Sequence, residues 1–173
     1  MTKLKIYLDT NFIYDYFQRK VQELTNGKKF FEIGKLTFIE DNLKFIEAYT
    51  SFFTLIEIAN RLKEEFKLTP EEIIQLIEDF TSSYKITILD NVVLTKDTLT
   101  WFLSNISWKD SIQLNIAKNE GLVFTTEDEK LFRKARKFYT KVLKFKGLKR
   151  NIELIKASLF ASSLLKFFPF FQK

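Results

Sequence analysis

Asp9 ends a short apolar run, Ile6-Tyr7-Leu8, and is followed by Thr10, Asn11 and an apolar helical pattern. Three more acids stand in similar settings. Glu57 closes the stretch Ser51-Phe52-Phe53-Thr54-Leu55-Ile56-Glu57, Asp110 follows Trp108 and Lys109, and Asp128 lies just past the apolar run Leu122–Phe124. Open α/β sheets place their chemistry at the C-terminal ends of strands. Carboxylates converging there raise one another's pKa until a cation resolves the conflict. Sites built from carboxylate oxygens alone prefer hard cations such as Mg²⁺ or Mn²⁺. A cation of that kind deprotonates bound water and stabilises a leaving oxygen.

Composition removes most alternatives. The chain of 173 residues contains no His and no Cys. Ser-His-Asp triads, imidazole acid–base pairs, thiolate nucleophiles, disulfides and Cys/His metal sites are therefore excluded, and a cytoplasmic setting is the simplest expectation. Its four glycines, Gly27, Gly34, Gly121 and Gly147, cannot form a GxGxxG or Walker loop, which argues against a nucleotide cofactor. The net charge of +6 favours a polyanionic partner. Met1-Thr2-Lys3-Leu4-Lys5 leads straight into a strand, so no signal peptide is expected. The apolar stretch Ile152–Phe171 carries Glu153, Lys156 and Lys166, which argues against a membrane span.

Each acid taken alone has an ordinary structural explanation. Asp9 or Thr10 can cap the next helix. Glu57 can be an exposed helical Glu, and Asp110 can answer the dipole of its own helix. Thr126 can cap a helix with Glu127, Asp128 and Glu129 in its first turn. The repetition is what matters, because in each case a carboxylate falls at or near a strand-to-helix junction.

The elements that must position these acids read as follows. Strands are expected at 3–8, Lys85–Leu89, Leu122–Phe124 and Val142–Phe145, with Tyr49-Thr50-Ser51 as a short strand or a helix start. Helices are expected at Phe12–Phe17, Phe38–Ile46, Phe52–Phe66, Glu71–Phe80, Asp97–Ser104, Asp110–Asn119, Glu127–Phe138 and Asn151–Phe168. Thr69 and Pro70 open the fourth of these, whose buried face reads as Ile73, Ile74, Leu76 and Ile77. Arg19–Lys35 reads as a basic loop with its tip at Asn26-Gly27-Lys28-Lys29. Short apolar strands alternating with helices predict a three-layer α/β/α fold with a central parallel sheet. The main domain is read as residues 1–148, followed by a C-terminal helical segment over 149–173.

Taken together, these segments resemble the PIN domain, a metal-dependent ribonuclease family. Leu8-Asp9-Thr10-Asn11-Phe12 is similar to its opening motif and S-x-x-T-x-x-E at Ser51–Glu57 to its second. Asp110 with Ile112, Gln113 and Ala117 is similar to the third, and T-x-D at Thr126–Asp128 to the fourth. The resemblance spans about Lys3 to Phe145 and implies that Asp9, Glu57, Asp110 and Asp128 form an acidic quartet. Asp9, Asp110 and Asp128 would be ligands of Mg²⁺ or Mn²⁺, and Glu57 a ligand or a water-orienting base. Asn11, Thr126, Ser51 and Thr54 would be polar supports. The implied reaction is endonucleolytic cleavage of RNA leaving a 5′-phosphate and a 3′-hydroxyl. Many such small chains resemble the toxin of VapBC-type toxin–antitoxin pairs and are often dimeric. A scaffold of the same fold without catalysis, and an RNA-maturation nuclease, are the alternatives.

Three features depart from the family pattern. The interval from Asp9 to Glu57 is long, Lys109 abuts Asp110 where it would repel a metal or contact a phosphate, and residues from Asn151 onward lie outside the resemblance. For RNA, the expected contacts are Lys130, Arg133, Lys134, Arg136 and Lys137, interleaved with Phe132, Phe138 and Tyr139, with Lys28 and Lys29 reaching from the loop. The terminal helix carries Ile152, Ile155, Leu159, Phe160, Leu164, Phe167 and Phe168. It packs on the domain's own core, or forms a homodimer face or a groove for an antitoxin peptide.

Overall fold

Leu4–Leu8 forms the first strand, β1, and its side chains sort the molecule into layers. Successive residues of a strand point to opposite faces. Ile6 and Leu8 accordingly enter one apolar core and Tyr7 the other. The computed structural model describes residues 3–27, 34–90 and 92–167, with side chains through residue 160.

After β1 the described chain runs α1 (Thr10–Asn26), α2 (Gly34–Asp41), β2 (Ile46–Ser51), α3 (Phe52–Phe66), α4 (Pro70–Ser83) and β3 (Thr87–Leu89). It continues with α5 (Lys96–Leu103), α6 (Trp108–Asn119), β4 (Val123–Thr125), α7 (Glu129–Ala135), β5 (Val142–Leu143) and α8 (Phe145–Phe167). The sheet has strand order β3-β2-β1-β4-β5, and every pairing is parallel. Helices cover both of its faces, giving the expected three-layer α/β/α fold. Residues of α1, α3, α4 and α8 pack with Ile6 and Leu8, whereas residues of α5, α6 and α7 pack with Tyr7 and Phe124. The first core is aromatic: Phe17 and Phe80 lie 5.0 Å apart between ring centroids, and Tyr16 and Phe80 5.2 Å.

The order of strands reverses at β1, which has β2 on one side and β4 on the other. That switch point is where open parallel sheets leave a crevice beyond the strand ends. Register fixes what lies there. Leu8 pairs with Thr125, so Asp9 and Thr126 emerge side by side.

Several expected boundaries move. The first helix runs well beyond Phe17 to Asn26 and stops at Gly27, whose φ of +64° is a left-handed cap that glycine adopts at no steric cost. Lys28 and Lys29, the expected loop tip, lie outside the described residues. The helix expected over Phe38–Ile46 ends at Asp41, because the Asn42 carbonyl accepts from the N–H groups of Phe45 and Ile46 and turns the chain into β2. β3 begins two residues later than expected, after Lys85 at a φ of 47°, a conformation no strand residue holds. In α4 the buried face is Ile73, Leu76 and Phe80, and Ile74 is 56% exposed because it falls off that stripe. α7 ends at Ala135, and α8 begins at Phe145, with Leu148 and Ile152 fully buried in the first core. Leu154 and Phe160 on the same helix are exposed, whereas the side chains of Leu164 and Phe167, and the whole of Phe168, fall outside the described part of the chain. Among the described residues no helix is long and apolar enough to cross a membrane.

Candidate active site

Asp9 is the residue between the last strand position of β1 and the first turn of α1. Its Oδ1 accepts the Phe12 N–H at 2.7 Å, so it caps α1, and it is only 2% exposed. Thr126, fully buried at the end of β4, hydrogen-bonds the same carboxylate. The Thr126 hydroxyl also accepts the Asp128 N–H at 3.1 Å, which sets the approach to α7. Asp128, not Thr126, is the N-cap of that helix, and its Oδ1 accepts the Leu131 N–H at 2.8 Å. A capping carboxylate uses one face of one oxygen, so Asp9 and Asp128 keep lone pairs for other partners.

Asp110 lies in the first turn of α6, whose residues Ser111, Gln113, Leu114, Asn115, Ile116 and Ala117 are buried. Ser107 caps this helix and its hydroxyl donates to Asp110 Oδ2 at 2.6 Å. Glu57 sits in the second turn of α3 with its side chain 16% exposed. Its Oε2 accepts from the Thr10 hydroxyl at 2.7 Å and from Gln113 Nε2 at 2.8 Å, and its Oε1 lies 3.5 Å from Lys109 Nζ.

The carboxylates feel one another. Burial, the largest effect, and then the charges of Asp110 and Asp128 push the Asp9 carboxyl up to about 7. Hydrogen bonds from Thr126 and the Phe12 N–H oppose that rise. Asp110 is raised too, first by burial and then by Glu57 and Asp128, against the pull of Ser107 and Lys109. Asp9, Glu57, Asp110 and Asp128 therefore share one electrostatic neighbourhood at the C-terminal edge of the sheet. A hard divalent cation suits this donor set, since it would lift the penalty on buried carboxylates and take oxygen ligands only. Among the described residues no group of three or more acidic side chains stands close enough together to hold a metal ion.

The remaining expected residues separate by location. Ser51 and Thr54 hydrogen-bond the buried Tyr7 hydroxyl at 2.7 and 2.8 Å, and Ser51 caps α3, so both bear on the core beneath the acids. Asn11 is half-buried in the first turn of α1. Lys130 is exposed on α7, while Arg133 pairs with Glu129 at 2.8 Å and Lys134 donates to the Asn105 carbonyl. Arg136, 5.5 Å over the Phe132 ring, and Lys137 lie just past the helix. Tyr139 is not open to a base: it is 9% exposed and its hydroxyl donates to the Leu122 carbonyl.

Sequence reasoning missed Thr10 and Gln113 as partners of Glu57, and Ser107 as the partner of Asp110. Gln113 carried a signal, being a polar residue one helical turn after Asp110 and flanked by Ile112 and Leu114.

The sequence matches the family model of the PIN domain over residues 6–137. Among curated proteins none matches it. Among solved structures it is similar to "Crystal Structure of PAE2754 from Pyrobaculum aerophilum", with a TM-score of 0.54 and 15% identity, over 87% of this chain and 96% of that one. At that identity the likeness speaks for the fold. PIN domains are generally metal-dependent nucleases that use divalent ions. With its parallel sheet, its acids at the switch point and the match over most of its length, the chain belongs to the PIN domain family.

Proposed function

We propose that this protein is a metal-dependent endoribonuclease whose site is formed by Asp9, Glu57, Asp110 and Asp128. The observation that carries the reading is Asp9, a carboxyl at the sheet's switch point whose charged form is disfavoured first by its burial and then by the charges of Asp110 and Asp128. A buried acid in that state is costly for a merely structural cap and useful for holding an ion.

Asp9, Asp110 and Asp128 would hold Mg²⁺ or Mn²⁺. When bound, the ion supplies positive charge against the phosphodiester and eases deprotonation of a nearby water. The chain's own residues do the positioning. Thr126 orients Asp9, Ser107 orients Asp110, and Thr10 with Gln113 orients Glu57. Water attacks phosphorus, the P–O3′ bond breaks, and the departing 3′ oxygen takes a proton. The products are a 5′-phosphate and a 3′-hydroxyl.

Lys130, Arg133, Lys134, Arg136 and Lys137 are proposed phosphate contacts beside Asp128, with Phe138, 39% exposed, as the stacking aromatic. A toxin role goes further. It is tested by growth arrest on expression, relieved by a neighbouring small antitoxin protein. The exposed Leu154, Leu159 and Phe160 of α8 are the surface offered to that partner or to a second copy.

The test of the nuclease reading is cleavage of structured RNAs with Mn²⁺, Mg²⁺ or chelator by wild type and Asp9→Asn. Cleavage that needs the ion and is lost in the variant supports it. No difference among these conditions favours a non-catalytic scaffold of the same fold.

A further inference from the structure

Glu57 differs from the other three acids in how completely it is occupied. Both lone-pair sites of Oε2 face donors, the Thr10 hydroxyl at 2.7 Å and Gln113 Nε2 at 2.8 Å. Its Oε1 faces the Lys109 ammonium at 3.5 Å. Gln113 itself is held, since its Nε2 also donates to Thr10 Oγ1 at 2.9 Å. An ion taking Glu57 as a ligand would have to displace one of these partners.

Lys109 reaches Glu57 from the start of α6. It occupies the second position of α6, next to Asp110, and its ammonium lies 6.0 Å from the centre of the Trp108 ring. The same charge also acts on Asp110. One positive charge therefore bears on both Glu57 and Asp110. A second cation beside Glu57 or Asp110 would be repelled by this charge, with part of the repulsion screened by solvent because the Lys109 side chain is 41% exposed.

We propose that Lys109 is a built-in counter-cation of the acidic site. Its ammonium holds Glu57 out of the metal shell and limits the site to a single divalent ion carried by Asp9, Asp110 and Asp128. Glu57 then acts through water, as the group that orients the nucleophile. The inference rests on the metal-dependent reading above and assigns it a stoichiometry.

The experiment is titration of the full chain with MnCl₂, followed by calorimetry and by the electron paramagnetic resonance signal of free Mn²⁺. Wild type is expected to bind one Mn²⁺ per chain. Lys109→Met and Lys109→Gln are each expected to gain a second Mn²⁺ and to bind the first about tenfold more tightly, the scale of one charge removed at short range. Lys109→Arg should restore one ion. Circular dichroism melts establish that the variants fold, and Lys109, 41% exposed at its side chain, tolerates replacement. Two ions in wild type, or neutral variants with unchanged stoichiometry and affinity, would overturn the inference alone. Absence of Mn²⁺ binding by wild type would overturn the metal-dependent reading and this inference with it.

Discussion

The Thr10 hydroxyl donates to Glu57 Oε2 at 2.7 Å, across 47 positions of sequence. The bond ties the start of α1 to α3 and so sets the second acid relative to the first. Gln113 completes it from α6, donating to Thr10 and to Glu57 and facing the Thr10 N–H with its Oε1 at 3.4 Å. Three helices are thus locked together by neutral side chains around one carboxylate.

Removing the hub should show how much that lock contributes. Gln113 is buried, and Gln113→Ala leaves Thr10 and Glu57 short of a partner. An unfolding free energy lower by about 1–3 kcal/mol is expected in urea, the cost of orphaned buried polar groups. RNA cleavage should fall by more than the lower stability explains, because Glu57 loses one of the two donors that fix its Oε2. Unchanged cleavage would mean that Glu57 needs no orientation.

The raised Asp9 carboxyl fixes a pH dependence. Its folded value of about 7 stands above its ordinary 3.8, so in that window the folded state binds a proton that the unfolded chain has released. Stability from this group is present at low pH and is lost as pH rises through about 4 to 7. In chelator, the melting temperature of wild type relative to Asp9→Asn should therefore fall over that range. Mn²⁺ should raise it most at the upper end, where the carboxylate is charged. A difference that stays flat with pH would contradict the burial of a titrating acid there.

Ser51 and Thr54 bond the Tyr7 hydroxyl in the core, which separates stability from chemistry. Tyr7→Phe removes that hydroxyl and should cost about 1–2 kcal/mol in urea unfolding. The affinity for Mn²⁺ should stay within about twofold, since none of the three groups is expected to touch the ion. A large drop in metal affinity would place them in the site after all.

The basic residues near Asp128 are open to a salt test. Reversing charge at Arg133 and Arg136 should weaken RNA binding and make the dependence of log K on log salt shallower by about one for each phosphate left without its cation. Arg133 is 76% exposed, so folding is not expected to suffer. An unchanged slope would move the RNA path elsewhere on the surface.

The parallel α/β architecture was legible because short apolar runs such as Ile6–Leu8 and Leu122–Phe124 alternate with helical patterns. The helix α4 was legible because Thr69 and Pro70 write its start; the structure adds Glu72, which completes a capping box with Thr69. Asp9 and Asp128 could be placed because each follows a strand. Other features were hidden by physics that acts at a distance. The turn at Asn42 looked helical because Phe38, Ile39, Asn42, Leu43 and Ile46 fall at helical spacing, and the bonds from the Phe45 and Ile46 N–H groups to the Asn42 carbonyl that end the helix leave no mark in that spacing. The length of α1 was masked because beyond Phe17 only Val21 is buried, and little apolar periodicity remains to read. The Thr10–Glu57–Gln113 network joins residues far apart in the chain, so no local pattern could announce it.

Anomalous diffraction from crystals soaked in MnCl₂ bears on the site most directly. A strong peak is expected beyond the ends of β1 and β4, with carboxylate oxygens of Asp9 and Asp110 drawn to about 2.1 Å from it. Asp128 should lie within direct or water-mediated reach, and Glu57 should remain on Thr10, Gln113 and Lys109. A well-ordered site with no peak there, or a peak coordinated by acids on another face, would contradict an ion held at the switch point of the sheet.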